Sequence, residues 1–131
     1  MPGRTPVIPP GAAPNPALSP GIRIGNLLFV SGHVALDGSG KLVGAGDCEA
    51  QSRQVMANIR AVVEAAGATM QDVVKITCFL TEGTDYRAYS KVRAETFPSD
   101  PPASSTVFVS ALVRPELLVE VEAVVHVPGG E

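Results

Sequence analysis

Apolar residues recur at Val55, Ile59, Val62 and Ala66, at spacings of four, three and four, with Met56 and Val63 widening the stripe. That spacing follows one face of a 3.6-residue helix. Asp47 and Glu49 place negative charge where the unpaired N–H groups of a first turn favour it, and Gly67 supplies a stop. The pattern predicts an amphipathic helix over about residues 48–66. Tyr86, Tyr89, Val92 and Phe97 form the apolar side of a second helix, 86–97, which Thr84 or Asp85 can cap and Pro98, Pro101 and Pro102 end. Short apolar pieces at 22–24 and 27–30 flank Gly25-Asn26 and predict two strands joined by a tight turn. The loop Asp37-Gly38-Ser39-Gly40 follows, with 41–43 reading as a short return strand. The run VVKITCFL at 73–80, then 106–112 and 118–127, supply three more strands.

The order strand, strand, helix, strand, helix, strand, strand implies an α+β sandwich, with two helices on one face of a largely antiparallel sheet. No element remains to cover the other face. The strands at 107–109 and 119–127 are apolar enough that further copies of the chain are expected to do so.

Composition sharpens this picture. The chain has 131 residues, enough for one domain, and is 45% hydrophobic with only 18% charged residues. Typical soluble domains carry about 25% charged residues, so an unusually apolar surface is expected, as in a self-associating subunit. Seven of the twelve prolines fall in the first twenty residues. This divides the chain into a proline-rich arm at 1–16, extended on or off the domain, and a folded domain at 17–128. The net charge is −3 and the ten Lys and Arg are scattered, without the basic stripe of a nucleic-acid binder. No apolar run approaches the ~20 residues that span a bilayer, and the first twenty residues lack the apolar stretch of a secretion signal. Cys48 and Cys78 have no motif spacing and read as reduced packing residues in a cytoplasmic protein.

Candidate chemistry is sparse. His33 and His126 are far apart and neither belongs to a metal-ligand pattern, so no metal and no cofactor is expected. The glycines at 38, 40 and 44 fit neither the dinucleotide nor the P-loop template and read as a hairpin loop. Three segments remain. Ser31-Gly32-His33 ends a strand where Gly32 would admit a ligand close to the main chain. Ser104, Ser105 and Thr106 bring three hydroxyls to a loop-to-strand junction. Glu120 and Glu122 alternate with valines, so both carboxylates share one face of the last strand. Half-burial of such a carboxylate would raise its pKa toward the range useful for moving protons.

Gly25-Asn26-Leu27-Leu28-Phe29-Val30-Ser31-Gly32, Val62-Val63-Glu64-Ala65-Ala66-Gly67-Ala68, Asp72-Val73-Val74-Lys75-Ile76-Thr77, Pro101-Pro102-Ala103-Ser104-Ser105-Thr106 and Leu118-Val119-Glu120-Val121-Glu122-Ala123 follow in order. In this the chain resembles the Rid/YjgF family of reactive-intermediate (enamine/imine) deaminases, over about residues 16–127. The resemblance implies a chorismate-mutase-like α+β fold that assembles as a homotrimer, with ligand clefts between subunits. It also implies hydrolysis of enamines and imines of 2-keto acids with release of ammonia.

Residue by residue, Ser104 stands where the family's P-A-R-S arginine holds the substrate carboxylate. Leu18 stands in place of the tyrosine of G-P-Y, His33 in place of a glutamine, and Thr106 at a cysteine or threonine position. Glu120 matches the glutamate associated with the attacking water. Arg23, Arg93 and Arg114 are possible replacements for the missing arginine, and the spacing selects none of them.

The resulting expectation is a hydrolase of altered anchoring. Glu120 handles water, Ser104, Ser105 and Thr106 bond the substrate, His33 serves as acid, base or donor, and Ser31, Gly32 and Leu18 complete the binding site. Copies of the chain are expected to bring Glu120 alongside the hydroxyls of Ser104 and Thr106. The alternatives are a non-catalytic ligand-binding or regulatory trimer and, behind it, a ribonuclease or translation inhibitor. An acidic chain argues against the last, because phosphate neutralisation supplies most non-specific RNA affinity.

Overall fold

A computed structural model describes residues 3–129; Met1, Pro2, Gly130 and Glu131, and with them the first of the arm's prolines, lie outside the described residues. Strands β1 (Thr5–Val7), β2 (Gly21–Ile24) and β3 (Leu27–His33) precede helix α1 (Cys48–Ala65). Then come β4 (Val73–Leu80), α2 (Tyr86–Thr96), β5 (Ala103–Phe108) and β6 (Val119–His126). The six strands form one sheet in the order β1-β2-β3-β6-β4-β5. Every pairing is antiparallel except β4 with β5, which α2 joins as a parallel crossover. The α+β class with two helices and a largely antiparallel sheet therefore holds, β4–β5 being the parallel pair.

The local reasons are those read in the chain. Gly25 has φ of +58° in the two-residue turn joining Ile24 to Leu27, a conformation that favours glycine. Asp47 caps α1 by accepting from the Ala50 N–H at 3.0 Å. The helix ends in a Schellman motif: Gly67, with φ of +85°, donates to the Glu64 carbonyl and Ala68 donates to that of Val63. The buried side of α1 includes Val55, Met56, Ile59, Val62 and Val63, as the stripe predicts.

One open question is decided and three expectations change. Residues 5–7 of the proline-rich arm pair with β2 and bury Val7, so the arm lies on the domain as its edge strand. The return strand at 41–43 reduces to a single bridge between Leu36 and Leu42, because the Asp37 side chain closes the loop instead, accepting from the Ser39 and Lys41 N–H groups. The strand expected at 106–112 runs from Ala103 to Phe108. Neither Thr84 nor Asp85 caps α2 by its side chain, since a 3-10 turn at Gly83–Asp85 winds straight into the helix and Asp85 is already in the right-handed helical region.

The core lies between the helices and one face of the sheet. Leu28, Val30, Ile76, Cys78, Leu80, Val119, Val121 and Val125 meet α1 and the Tyr89 and Val92 side of α2. Gln51 is buried among them and fully bonded. Its Nε2 donates to the carbonyls of Gly44 and Glu116, and its Oε1 accepts from the Leu118 N–H. It thereby ties α1 to the segment entering β6.

Candidate functional site

Strand β6 alternates strictly, with Val119, Val121, Ala123 and Val125 buried and Glu120, Glu122 and Val124 on the opposite, uncovered face. Across that face Glu120 stands beside Phe79 and Phe79 beside Val107, while Glu122 stands beside Thr77 and Thr77 beside Ser105. At its other side Glu120 meets a bulge in β3. Between Val30 and His33 the register to β6 slips, and Gly32 falls on the irregular stretch. A Cβ on Gly32 would lie 2.0 Å from Glu120 Oε2 and 2.9 Å from its Cδ. Any larger residue at this position would require the carboxylate to move from where it rests on the main chain. Half-burial, helped by the charge of Glu122, pushes the Glu120 carboxyl above the usual carboxylate range. A carboxylate raised in this way holds its proton more readily than an exposed one, which suits it better to proton transfer.

The other expected residues separate into two clefts and one surface position. Ser31, Gly32, His33 and Leu18 line a cleft of about 380 Å³ beneath the proline-rich arm. There Ser31 Oγ donates to the Ser19 carbonyl, and His33 Nε2 lies 3.4 Å from the Pro20 carbonyl. Burial lowers the His33 pKa, with the Pro20 contact opposing, so the ring is neutral at neutral pH. His33 pairs across the sheet with buried Val121 and so faces the helices, away from Glu120. Within a chain it is therefore not a proton partner of Glu120.

Ser104 and Thr106 pair with Ile76 and Cys78, which places both on the helix side of β5. They line a cleft of about 740 Å³ between α2 and the loop before β5. Asp100 turns that loop with φ of +46° between Pro98 and Pro101. Ser105 points the other way and accepts from Lys75 Nζ at 3.0 Å. The three hydroxyls thus do not act as one group, because successive strand residues face opposite sides. For the same reason Glu120 and the Ser104 and Thr106 hydroxyls lie on opposite faces of the sheet within one chain.

Of the three arginines the sequence left as candidates, Arg93 is the one that lines the second cleft. Arg93 of α2 brings its guanidinium to 3.5 Å from Ser104 Oγ and donates to the Tyr86 hydroxyl and Ser90 Oγ, each at 3.1 Å. It also stacks on Tyr86 and Tyr89, 5.7 and 5.3 Å from the ring centres. Burial works against its charge, yet the bond to Tyr86 and the adjacent phenols outweigh this and hold its pKa above the ordinary arginine value. Tyr86, read as part of the apolar side of α2, is 40% exposed and forms one wall of this cleft. The i, i+7 spacing of Tyr86 and Arg93 was the sequence signal for this pair. Arg23 is turned away, bonded to the carbonyls of Gly25 and Ala66.

Cys48 and Cys78 are both buried as thiols, and burial pushes them up to about 11 and about 12 respectively, so neither is a ready nucleophile. Among the described residues no group of three or more His, Cys, Asp or Glu is arranged to hold a metal ion, and no helix is long and apolar enough to cross a membrane.

Residues 11–127 match the family described as endoribonuclease L-PSP. Among solved structures the chain is similar to YyfA, a Rid-family protein of Yersinia pestis, at 33% identity and a TM-score of 0.88, covering 95% of this chain and 100% of that one. It is similar at 32% identity to a YjgF-family protein of Mycobacterium tuberculosis, with a TM-score of 0.81 and the same two coverages. RidA of an Antarctic Psychrobacter is 29% identical over 94% of this chain and 100% of that one, with a TM-score of 0.85.

Proposed function

Because the chain belongs to the Rid/YjgF (endoribonuclease L-PSP) family, we propose that it is a small-molecule hydrolase acting on imine or enamine carbon–nitrogen bonds, with a substrate anchor unlike the arginine that Ser104 replaces. The working form in this reading is a homotrimer whose uncovered sheet faces pack together and whose clefts lie between copies. Exposed Phe29 and Val107 and half-buried Phe79 and Val124 on that face support it. Assembly would also let Glu120 of one copy approach the Ser104 and Thr106 of another, which the opposite facing of these residues forbids within a chain.

The observation that carries the proposal is Glu120, half-buried, raised in pKa and lying close against the main chain at Gly32. In the proposed reaction water adds to the C=N carbon while Glu120 takes one of its protons. Glu120 returns that proton to the nitrogen to give the carbinolamine, then carries the hydroxyl proton to the same nitrogen as the C–N bond breaks, so that ammonia leaves and a carbonyl product remains. Release of ammonia from freshly generated imines, measured with the native chain and with Glu120→Ala, tests this. A loss of at least about 100-fold in the variant is expected for a proton-transferring group. An equal rate, or no hydrolysis by the native chain, overturns it.

A non-catalytic binding trimer is the second reading, favoured by the separation of Glu120 from the α2–β5 cleft within a chain. Its mark is a ligand-induced rise in Tm without turnover. The RNA reading suggested by the family's description has little support in an acidic chain whose Arg53, Arg60 and Lys91 are already paired with glutamates.

A further inference from the structure

The uncovered face of the sheet carries both signs of charge, and the chain keeps them apart. Lys75 of β4 stands beside Val124, and Glu122 of β6 stands beside Thr77, so the two charged residues are diagonal neighbours on one face. Long side chains can span that separation. Lys75 nevertheless reaches to the strand on its other side, where its Nζ donates to Ser105 Oγ at 3.0 Å. The ion pairs among the described residues join Arg53, Arg60 and Lys91 to Glu49, Glu64 and Glu95, and none uses Lys75 or Glu122.

The surroundings of the two charges are apolar. Phe29 and Val124 wall a depression of about 340 Å³ that Lys75, Thr77 and Glu122 complete. Lys75 is already half-buried there, whereas Glu122 is exposed. Any surface packed onto Phe29 and Val124 takes both charges out of water, and a charge buried without a partner is costly. A second copy of this face brings what is missing, one cation and one carboxylate. Glu120 is the weaker candidate for the cation, since it is already seated against the main chain at Gly32.

We propose that Lys75 of one copy pairs with Glu122 of the next, and that this pair selects a second copy of the chain as the occupant of the uncovered face and sets the register in which copies meet. Each copy gives one partner and receives the other, so a ring closes with no charge left over. The inference rests on the homotrimer reading above and names the contact that makes it specific. Apolar residues such as Phe29 supply area, while a misplaced copy sets like or unpaired charges together.

The experiment uses the full-length chain with Lys75→Glu and Glu122→Lys, made singly and together, and follows sedimentation over a dilution series. Each single reversal sets like charges across the contact. It is expected to raise the concentration at which the assembly half-dissociates by at least about tenfold. The double variant restores opposite charges with their ends exchanged and should recover most of that loss. An equal mixture of the two single variants gives the sharper reading. One chain then offers two carboxylates and the other two cations, so the mixture should assemble at concentrations where neither variant does alone. Urea transitions check that each variant folds. If a reversal prevents folding, Lys75→Gln and Glu122→Gln replace the pair, and their double variant should lose less than the sum of the single losses.

Assembly that ignores the reversals, or single losses that neither the double variant nor the mixture recovers, overturns the pairing and leaves the homotrimer standing. Recovery in the double variant without recovery in the mixture means a pair inside one chain, and overturns it too. A native chain that sediments as a single copy at every concentration overturns both the pairing and the homotrimer, whatever else binds the face. Ammonia release from imines in the same samples reports on the hydrolase separately.

Discussion

On one face of the sheet Ile76, Cys78, Val119 and Val121 are sealed under two helices, while on the other, built from alternate residues of the same strands, Phe29 remains 47% and Val107 43% exposed. The covered face is uniformly apolar. The uncovered face is banded: Phe79 and Val107 stand in line with Glu120, then Thr77 and Ser105 in line with Glu122, and beyond them Lys75 beside Val124 and Phe29. A surface meant only for water would not carry those aromatics, and a core would not carry the carboxylates. The contrast shows where this fold keeps its stability, and the association and chemistry proposed above both draw on the other face.

Neighbouring residues can break that comparison. Val121→Asp puts a charge without a partner into the covered face. It is expected to cost more than about 4 kcal/mol, enough to abolish a cooperative urea transition in a marginally stable domain. Phe29→Ser acts on the uncovered face and should leave the urea transition of the isolated chain within about 1 kcal/mol of native. Its effect should appear instead in assembly, as slower sedimentation and a Tm that no longer rises with protein concentration. If Phe29→Ser unfolds the chain as Val121→Asp does, or leaves sedimentation untouched, the uncovered face is not a docking surface for copies.

The contact between Gly32 and Glu120 sharpens the comparison further. Gly32→Ala would force the carboxylate aside, since the new methyl and Oε2 would stand 2.0 Å apart. The fold has room to tolerate this on its uncovered face. We therefore expect a Tm within a few degrees of native, as for surface changes of under about 1 kcal/mol, and a loss of ammonia release of about 100-fold, the usual worth of a positioned proton-transfer group. Unchanged turnover would show that the seat of Glu120 on the β3 bulge has no catalytic meaning.

Much of this was legible in the chain because it depends on period and on local backbone chemistry. The stripe from Val55 to Val63, the Gly25-Asn26 turn and the alternation of β6 each state their own geometry. The grouping of the site was not legible, because it depends on register between strands remote in sequence. A run such as Ser104-Ser105-Thr106 looks like one cluster, yet its pairing with Ile76, Thr77 and Cys78 sends Ser105 to the opposite face. Arg93 could not be told from Arg23 or Arg114 until α2 was laid against β5. Gln51 also gave no sign, since two of its three partners, Glu116 and Leu118, belong to the segment entering β6, far along the chain, and the third, Gly44, lies in the loop before α1. Whether the arm lies on the domain stayed open for a simpler reason: proline marks an extended chain but not whether its remaining N–H groups find an edge to pair with.

The smallest expected effect concerns the two carboxylates of β6. Half-burial, and then the charge of Glu122, make ionised Glu120 less favourable in the folded chain than in the unfolded one. The folded chain therefore holds the Glu120 proton to higher pH. Stability should decline as pH rises from the ordinary carboxylate range, about pH 4, to the raised value, and then level off, because in that window the folded state binds more protons. Glu122→Gln removes the repulsive charge but not the burial, so the decline should shrink without vanishing, and the acid limb of the pH–rate profile should move to lower pH. Glu120→Gln should abolish this part of the pH dependence and be no less stable than the native chain above the window. Urea midpoints of the three proteins between about pH 4 and 7 read the difference. Superimposable curves for the native chain and Glu120→Gln would mean that Glu120 ionises as freely as on any exposed strand, and the uncovered face would then be ordinary solvated surface at that point.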